Sequence, residues 1–252
     1  MIGNAIGDIM PVVLDRTPCF NGFQADISYW LGQLLGMEEI MYYMYDRSEW
    51  LHDILVFFRD GILNAQEEAE KAGDLSLLSH TNQAMTYAEE LPDPAISGES
   101  VTRNKLWGFF ASQEYAMISP QMHYEFLLQY QMPIMERMGL VAYGCCEDLT
   151  KKIDILRKIP NLRRIAVTPW ADVTKCAEQI GKDYVMSWRP NPSLMISNDW
   201  DPQRIKDIVK KALLDAKDSV IDITLKDVIT VKDEIWRVKE WVKIVREVTE
   251  NM

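Results

Sequence analysis

Positive charge is scarce in this chain: 27 Lys and Arg stand against 38 Asp and Glu, a net charge of −11. Nucleic acids and anionic membranes recruit Lys/Arg surfaces, so the balance argues against both as partners. Cysteine is sparse as well. Cys19, Cys145, Cys146 and Cys176 make no disulfide-scaffold pattern, and neighbours in sequence rarely bridge, which predicts a reducing, cytoplasmic compartment. No uninterrupted apolar stretch reaches 18 residues, so no transmembrane helix is expected. Met1 to Asp8 lacks the basic start of a signal peptide. Histidine occurs three times only, and no glycine-rich phosphate turn is present near the start.

What is there is apolar material: 48% of 252 residues, enough for a substantial core and a single domain over 1–252. Met10 to Leu14, Leu75 to Ser79, Leu106 to Phe110, 140–144, 163–167, Tyr184 to Ser187 and 220–225 read as about seven strands. Between them lie helical patterns. Ser48 is a candidate cap for a helix to about Lys71, with Leu51, Leu55, Phe58 and Ile62 on one face. Ser119-Pro120 opens a helix to about Met138, another is expected near 149–158, and Thr168-Pro169 opens a short one. Asp201-Pro202 caps the next, with Ile205, Ile208, Val209, Ala212 and Leu213 at helical spacing. A final helix places Ile235, Val238, Val242 and Val245 on one face. Strands that are apolar throughout and followed by helices predict a parallel sheet. Without a phosphate turn, the expectation is a (β/α)8 TIM-barrel-like fold, incomplete at its amino terminus.

The run Leu140 to Glu147 is the most informative stretch: an apolar strand that breaks at Gly144 and then presents Cys145, Cys146 and Glu147. Parallel α/β folds keep their chemistry at the carboxyl ends of strands. Two thiols and a carboxylate there suggest a metal site or a thiolate reaction, although one structural cysteine beside one exposed turn thiol is the plainer reading. Lys226 and Asp227 follow the last strand, as an acid–base and carboxylate-holding pair or as a salt bridge pinning a loop. Arg189, past the strand at Tyr184 to Ser187, is placed to clamp an anion. Gln113 and Glu114 are further rim candidates. His80 opens a long polar stretch to Lys105 and is a candidate base or ligand; His52 and His123 read as helix-surface residues. Glu89 and Glu90 read as solvated. Met117, Met122, Met132, Met135 and Met138 read as a helix seam.

Tyr143-Gly144-Cys145-Cys146-Glu147, Ile159-Pro160-Asn161-Leu162-Arg163-Arg164, Thr168-Pro169-Trp170-Ala171-Asp172, Arg189-Pro190-Asn191-Pro192 and Leu225-Lys226-Asp227 occur in this order. Together with Ser119 to His123 and Glu89 to Pro92, they resemble the uroporphyrinogen-decarboxylase superfamily, in a bacterial decarboxylase-like branch. The resemblance implies a (β/α)8 barrel and two chemistries. One is cofactor-free decarboxylation of porphyrinogen acetates, a lyase reaction; the other is zinc-dependent methyl transfer involving a corrinoid protein. The branch is longer at the amino terminus, so the resemblance also implies that the first barrel strands are missing. In the methyltransferases the matching strand ends in a His-x-Cys pair completed by a later cysteine. Aligning that cysteine on Cys145 puts Tyr143 at the histidine's place, with Ala142 the other possible register, and the later cysteine has no counterpart near Asp222 to Asp227.

Three functions are therefore expected in order. The first is methyl transfer on Zn2+ held by Cys145, Cys146 and Glu147, with a corrinoid protein as partner and Gln113, Tyr143 and Arg189 holding a small-molecule substrate; His80, Lys226 and Asp227 are the catalytic candidates. The second is decarboxylation of a porphyrinogen or other carboxylate, with no cofactor. The third is a degenerate barrel subunit whose open edge is covered by a partner or a second copy.

Overall fold

The computed structural model describes residues 2–10, 12, 25–76, 88–92, 99–197 and 200–252. It is an α/β fold with five parallel strands among these residues, and its chain falls into two compact units. The first strand expected at Met10 to Leu14, and Leu77 to Ser79 of the second, lie mostly outside the described residues; Ser76 makes an isolated antiparallel bridge to Ser100.

The first unit covers 1–145 and 155–162. After the short α1 (Ile2–Ile6), three helices follow in succession: α2 (Ile27–Leu35), α3 (Met37–Asp46) and α4 (Ser48–Ala72). Asp26 caps α2 through a bond from Ser28 N. Ser48 is the first helical residue of α4 and not its cap; that position is Arg47, with no side-chain cap bond. Leu51, Leu55 and Ile62 of α4 are buried as their spacing predicts. Gly73 stops α4 at φ 74, a left-handed conformation that glycine adopts without strain.

Strand β1 (Trp107–Phe110) pairs in parallel with β2 (Leu140–Tyr143), with Trp107 opposite Leu140 and Phe110 opposite Tyr143. The crossover between them starts at Ser119, whose hydroxyl caps α5 (Pro120–His123). It continues through a π turn at Tyr124–Leu128 into α6 (Gln129–Met135). The π turn takes five residues where an α turn takes fewer, which rotates everything on one side of it relative to a uniform helical count.

The second unit covers 146–154 and 163–252. Here β3 (Leu162–Val167), β4 (Val185–Trp188) and β5 (Val220–Ile223) lie side by side, all parallel. The helix expected near 149–158 is reduced to α7 (Ile153–Leu156), with turns before it. Thr168-Pro169 opens a turn and not a helix. The helix α8 (Val173–Ile180) begins five residues past Thr168, because the Asp172 carboxylate accepts from Lys175 N and supplies the cap. As expected, Asp201 caps α9 (Pro202–Asp215).

The last helix, α10 (Trp236–Glu250), buries Arg237, Trp241 and Ile244. The face read from Ile235, Val238 and Val242 is exposed instead. Arg237 explains the rotation. It donates to the carbonyls of Met195 and Ser197, pairs with Glu234, and lies over the rings of Trp200 and Trp236. A guanidinium that is bonded and stacked on indoles competes with valines for the inner face.

Register fixes two faces on the three-stranded part. Ala166 lies opposite Ser187, which lies opposite Asp222, so Arg164, Ser187 and Asp222 project to one side. Ile165, Val167, Met186 and Trp188 project to the other and are buried.

Candidate functional site

On the polar side of the second unit, Asp222 receives four bonds. Arg164 reaches it twice, Nε to Oδ2 at 2.7 Å and Nη2 to Oδ1 at 2.8 Å. Ser187 Oγ donates at 2.9 Å and Thr224 Oγ1 at 3.2 Å. One carboxylate thus ties all three strands together. Arg164 is also bonded to Thr224 Oγ1 at 3.0 Å, and its side chain is 4% exposed.

Beyond the carboxyl end of β5, the chain turns at Asp227 with φ 59. There Lys226, Asp227 and Cys146 meet. Lys226 Nζ donates to Cys146 Sγ at 3.2 Å, and Cys146 Sγ donates to Asp227 Oδ2 at 3.8 Å. Lys226 Nζ lies 3.7 Å from Asp227 Oδ2. Cys146 is exposed, Asp227 is exposed, and the lysine side chain is largely covered. An ammonium against sulfur favours the thiolate, and a carboxylate on the opposite side of the proton can receive it. These are the parts of an activated nucleophile at the strand ends where parallel folds do chemistry.

Other residues singled out in the sequence lie elsewhere. Glu147 is 2% exposed, five residues before the buried Lys152. Burial brings the Lys152 amine down to about 8, opposed by the carboxylates of Glu147 and Asp148. Arg189 is buried one residue past β4, its backbone N donating to Val167 O at 2.9 Å. It lines a cavity of about 320 Å³ with Thr168, Trp188, Asn191 and residues of α8 and α9, a lining that includes none of Cys146, Lys226 and Asp227. Cys176, not singled out, is buried against the Thr150 hydroxyl at 3.5 Å; burial pushes its thiol up to about 11.

In the first unit Cys145 is 3% exposed in an apolar cluster with Phe109 and Ala111. Gln113 sits half-buried in a single 3-10 turn, Gln113–Tyr115. Tyr143, expected at a substrate, is 1% exposed and belongs to an internal network. Gln131 Nε2 donates to Asp26 Oδ1 at 3.2 Å and to Ala111 O at 3.0 Å, so its Oε1 faces Tyr143 and accepts from the phenol at 2.9 Å. The phenol's one proton is thereby committed, and His123 Nε2, 2.9 Å away, carries the hydrogen and donates to it. His123 is completely buried, contrary to the surface position expected from helical counting. It stands immediately before the π turn, where a uniform 3.6-residue count loses phase. His52, also read as a surface residue, is half-buried; it stacks on Phe126 and bonds Tyr130 Oη at 2.6 Å. His80 lies outside the described residues. Glu89 and Glu90 are exposed, as expected.

Among the described residues no three His, Cys, Asp or Glu side chains gather as a metal ion requires. Cys145 sits among hydrocarbon and Glu147 is covered, while Cys146 faces an ammonium. The expected set Cys145, Cys146 and Glu147 therefore does not fit a zinc site. No protein-family model and no curated protein matches this chain.

Proposed function

We propose that the chain is a uroporphyrinogen-decarboxylase-like barrel enzyme that transfers a methyl group through the thiolate of Cys146, with a corrinoid protein as the methyl donor. The reading is carried by one observation, the Lys226–Cys146–Asp227 cluster past the carboxyl end of β5. Asp227 takes the thiol proton and the Lys226 ammonium holds the resulting thiolate. The sulfur lone pair attacks the methyl carbon; the S–C bond forms as the bond from methyl to donor breaks, and its electron pair leaves with the donor. Arg164, Ser187 and Asp222 tie β3, β4 and β5 together, and β5 leads into the segment that carries Lys226 and Asp227.

The test is a single-turnover assay with methylcobalamin, following demethylated cobalamin by absorbance and the Cys146 peptide by mass. Wild type gains one methyl on Cys146, and Cys146→Ser abolishes transfer. Unchanged transfer by Cys146→Ser would refute the assignment. A second reading, decarboxylation of a small carboxylate, rests on Arg189 in its cavity of about 320 Å³. Loss of carboxylate binding in Arg189→Met, with Cys146→Ser unaffected, would favour it.

A further inference from the structure

We infer that Cys146 and Lys226 form a reversible sulfur–nitrogen bond under oxidation, making this pair a modification site that responds to peroxide. The inference stands on the geometry of the pair and holds whether or not methyl transfer is the protein's activity. Three observations carry it. The Cys146 thiol is exposed, so a small oxidant reaches it. Lys226 Nζ is already 3.2 Å from the sulfur, within hydrogen-bond distance and needing little movement to close to a bond. The lysine side chain is 13% exposed, so its stem is held by the protein and its amine stays beside the sulfur.

The chemistry balances with hydrogen peroxide as oxidant. The thiolate attacks one peroxide oxygen; the S–O bond forms, the O–O bond breaks, and hydroxide leaves. That hydroxide takes a proton from the Lys226 ammonium and departs as water. The products are a sulfenic acid and a neutral amine. The amine lone pair then attacks sulfur, the S–N bond forms, the S–O bond breaks, and the hydroxyl leaves as a second water with a proton from nitrogen. Sulfur is oxidised by two electrons, and one peroxide becomes two waters. Asp227, at 3.7 Å from the amine, is placed to pass that proton on. The S–N bond protects the thiol from irreversible oxidation, and an excess of thiol reductant cleaves it to restore both side chains.

Cys145 and Cys176 lack this outcome because each is buried, Cys145 with Phe109 and Ala111 and Cys176 against Thr150. Only Cys146 of the three is exposed.

Peptide mass spectrometry of the full chain tests the inference after treatment with a stoichiometric to fivefold excess of hydrogen peroxide. The expected product is a cross-linked pair of peptides holding Cys146 and Lys226, two hydrogens lighter than their sum and separated by dithiothreitol. In Lys226→Arg the cross-link is lost, and a dimedone probe traps the sulfenic acid of Cys146 instead. Wild-type Cys146 that is captured by dimedone as readily as in Lys226→Arg, or that proceeds to sulfinic acid with Lys226 unmodified, overturns the inference. Because the readout is the mass of the peptides, a failed methyl-transfer assay leaves it untouched.

Discussion

Removing the Asp222 carboxylate takes the bidentate anionic partner from the buried Arg164 guanidinium, and the cost follows from what the structure shows around it. Arg164 keeps a 4% exposed side chain, and two of its bonds end on Asp222 at 2.7 and 2.8 Å. Breaking a buried ion pair from one side costs about 3–5 kcal/mol, most of it the penalty of leaving the remaining charge without a partner. Asp222 is 18% exposed, so water reaches the gap in Asp222→Ala and the expected loss is near the lower end, about 3 kcal/mol. For a chain of this size each kcal/mol moves the melting temperature by about 2–4 °C, so the shift is roughly 6–12 °C. Thermal and urea unfolding measure it. The control is the double substitution Arg164→Met with Asp222→Leu, which replaces the pair with apolar volume and is expected to restore at least about 2 kcal/mol. A single substitution costing under about 1 kcal/mol, or a double one as damaging as the single, refutes the view that Arg164 depends on Asp222.

Other outcomes can be checked directly. Lys152 titrates near 8 in the folded protein against an ordinary 10.5, because burial disfavours its charge. The folded state therefore holds fewer protons between those values, and stability rises with pH across the window by about 3 kcal/mol, the full penalty remaining below pH 8. Lys152→Met, compared with wild type in urea melts at pH 7 and 10, should lose that rise; a parallel pair of curves contradicts it. Iodoacetamide at pH 8 should label Cys146 well before Cys145 or Cys176, and Lys226→Met should slow the labelling, both read by mass. Gly139→Ala should destabilise by at least about 1 kcal/mol, since a Cβ there would stand 2.6 Å from the backbone oxygen of Asn104; an unchanged melting temperature shows that the loop gives way. Asp26→Ala removes the acceptor of Ser28, Gln131 and the Ala111 amide and should cost about 2–4 kcal/mol by urea unfolding.

The strands were legible because they are short, mostly apolar runs separated by helical patterns. Those expected at Leu106 to Phe110, 140–144, 163–167, Tyr184 to Ser187 and 220–225 all stand within a residue or two of their expected bounds. Helix α9 was legible because Asp201-Pro202 is a strong start signal. Three helices, α1, α2 and α3, went unread; in α2 and α3 the signal was present, since Ile27, Trp30, Leu31, Leu34 and Leu35 follow the Asp26 cap at helical spacing and Met37, Ile40, Met41 and Met44 follow Gly36 in the same way. At the candidate site, Lys226 and Asp227 were legible from their place after a strand, and Cys146 from its place in the turn after β2. What the sequence could not supply was their meeting, which depends on a left-handed Asp227 some 80 residues from Cys146. The Arg164–Asp222 pair was missed because the two side chains lie on different strands 58 residues apart, and only register reveals that they share a face.

The alternation along β3, β4 and β5 has an evolutionary corollary. Ile165, Val167, Met186 and Trp188 belong to the oily side and answer to volume, whereas positions 164, 187 and 222 on the opposite face answer to charge and hydrogen bonding. Selection can thus rewrite positions 164, 187 and 222 as a set to suit a new reaction while the hydrocarbon layer behind them stays as it is, so inheritance of the scaffold and invention of chemistry proceed on separate sides of the same three strands.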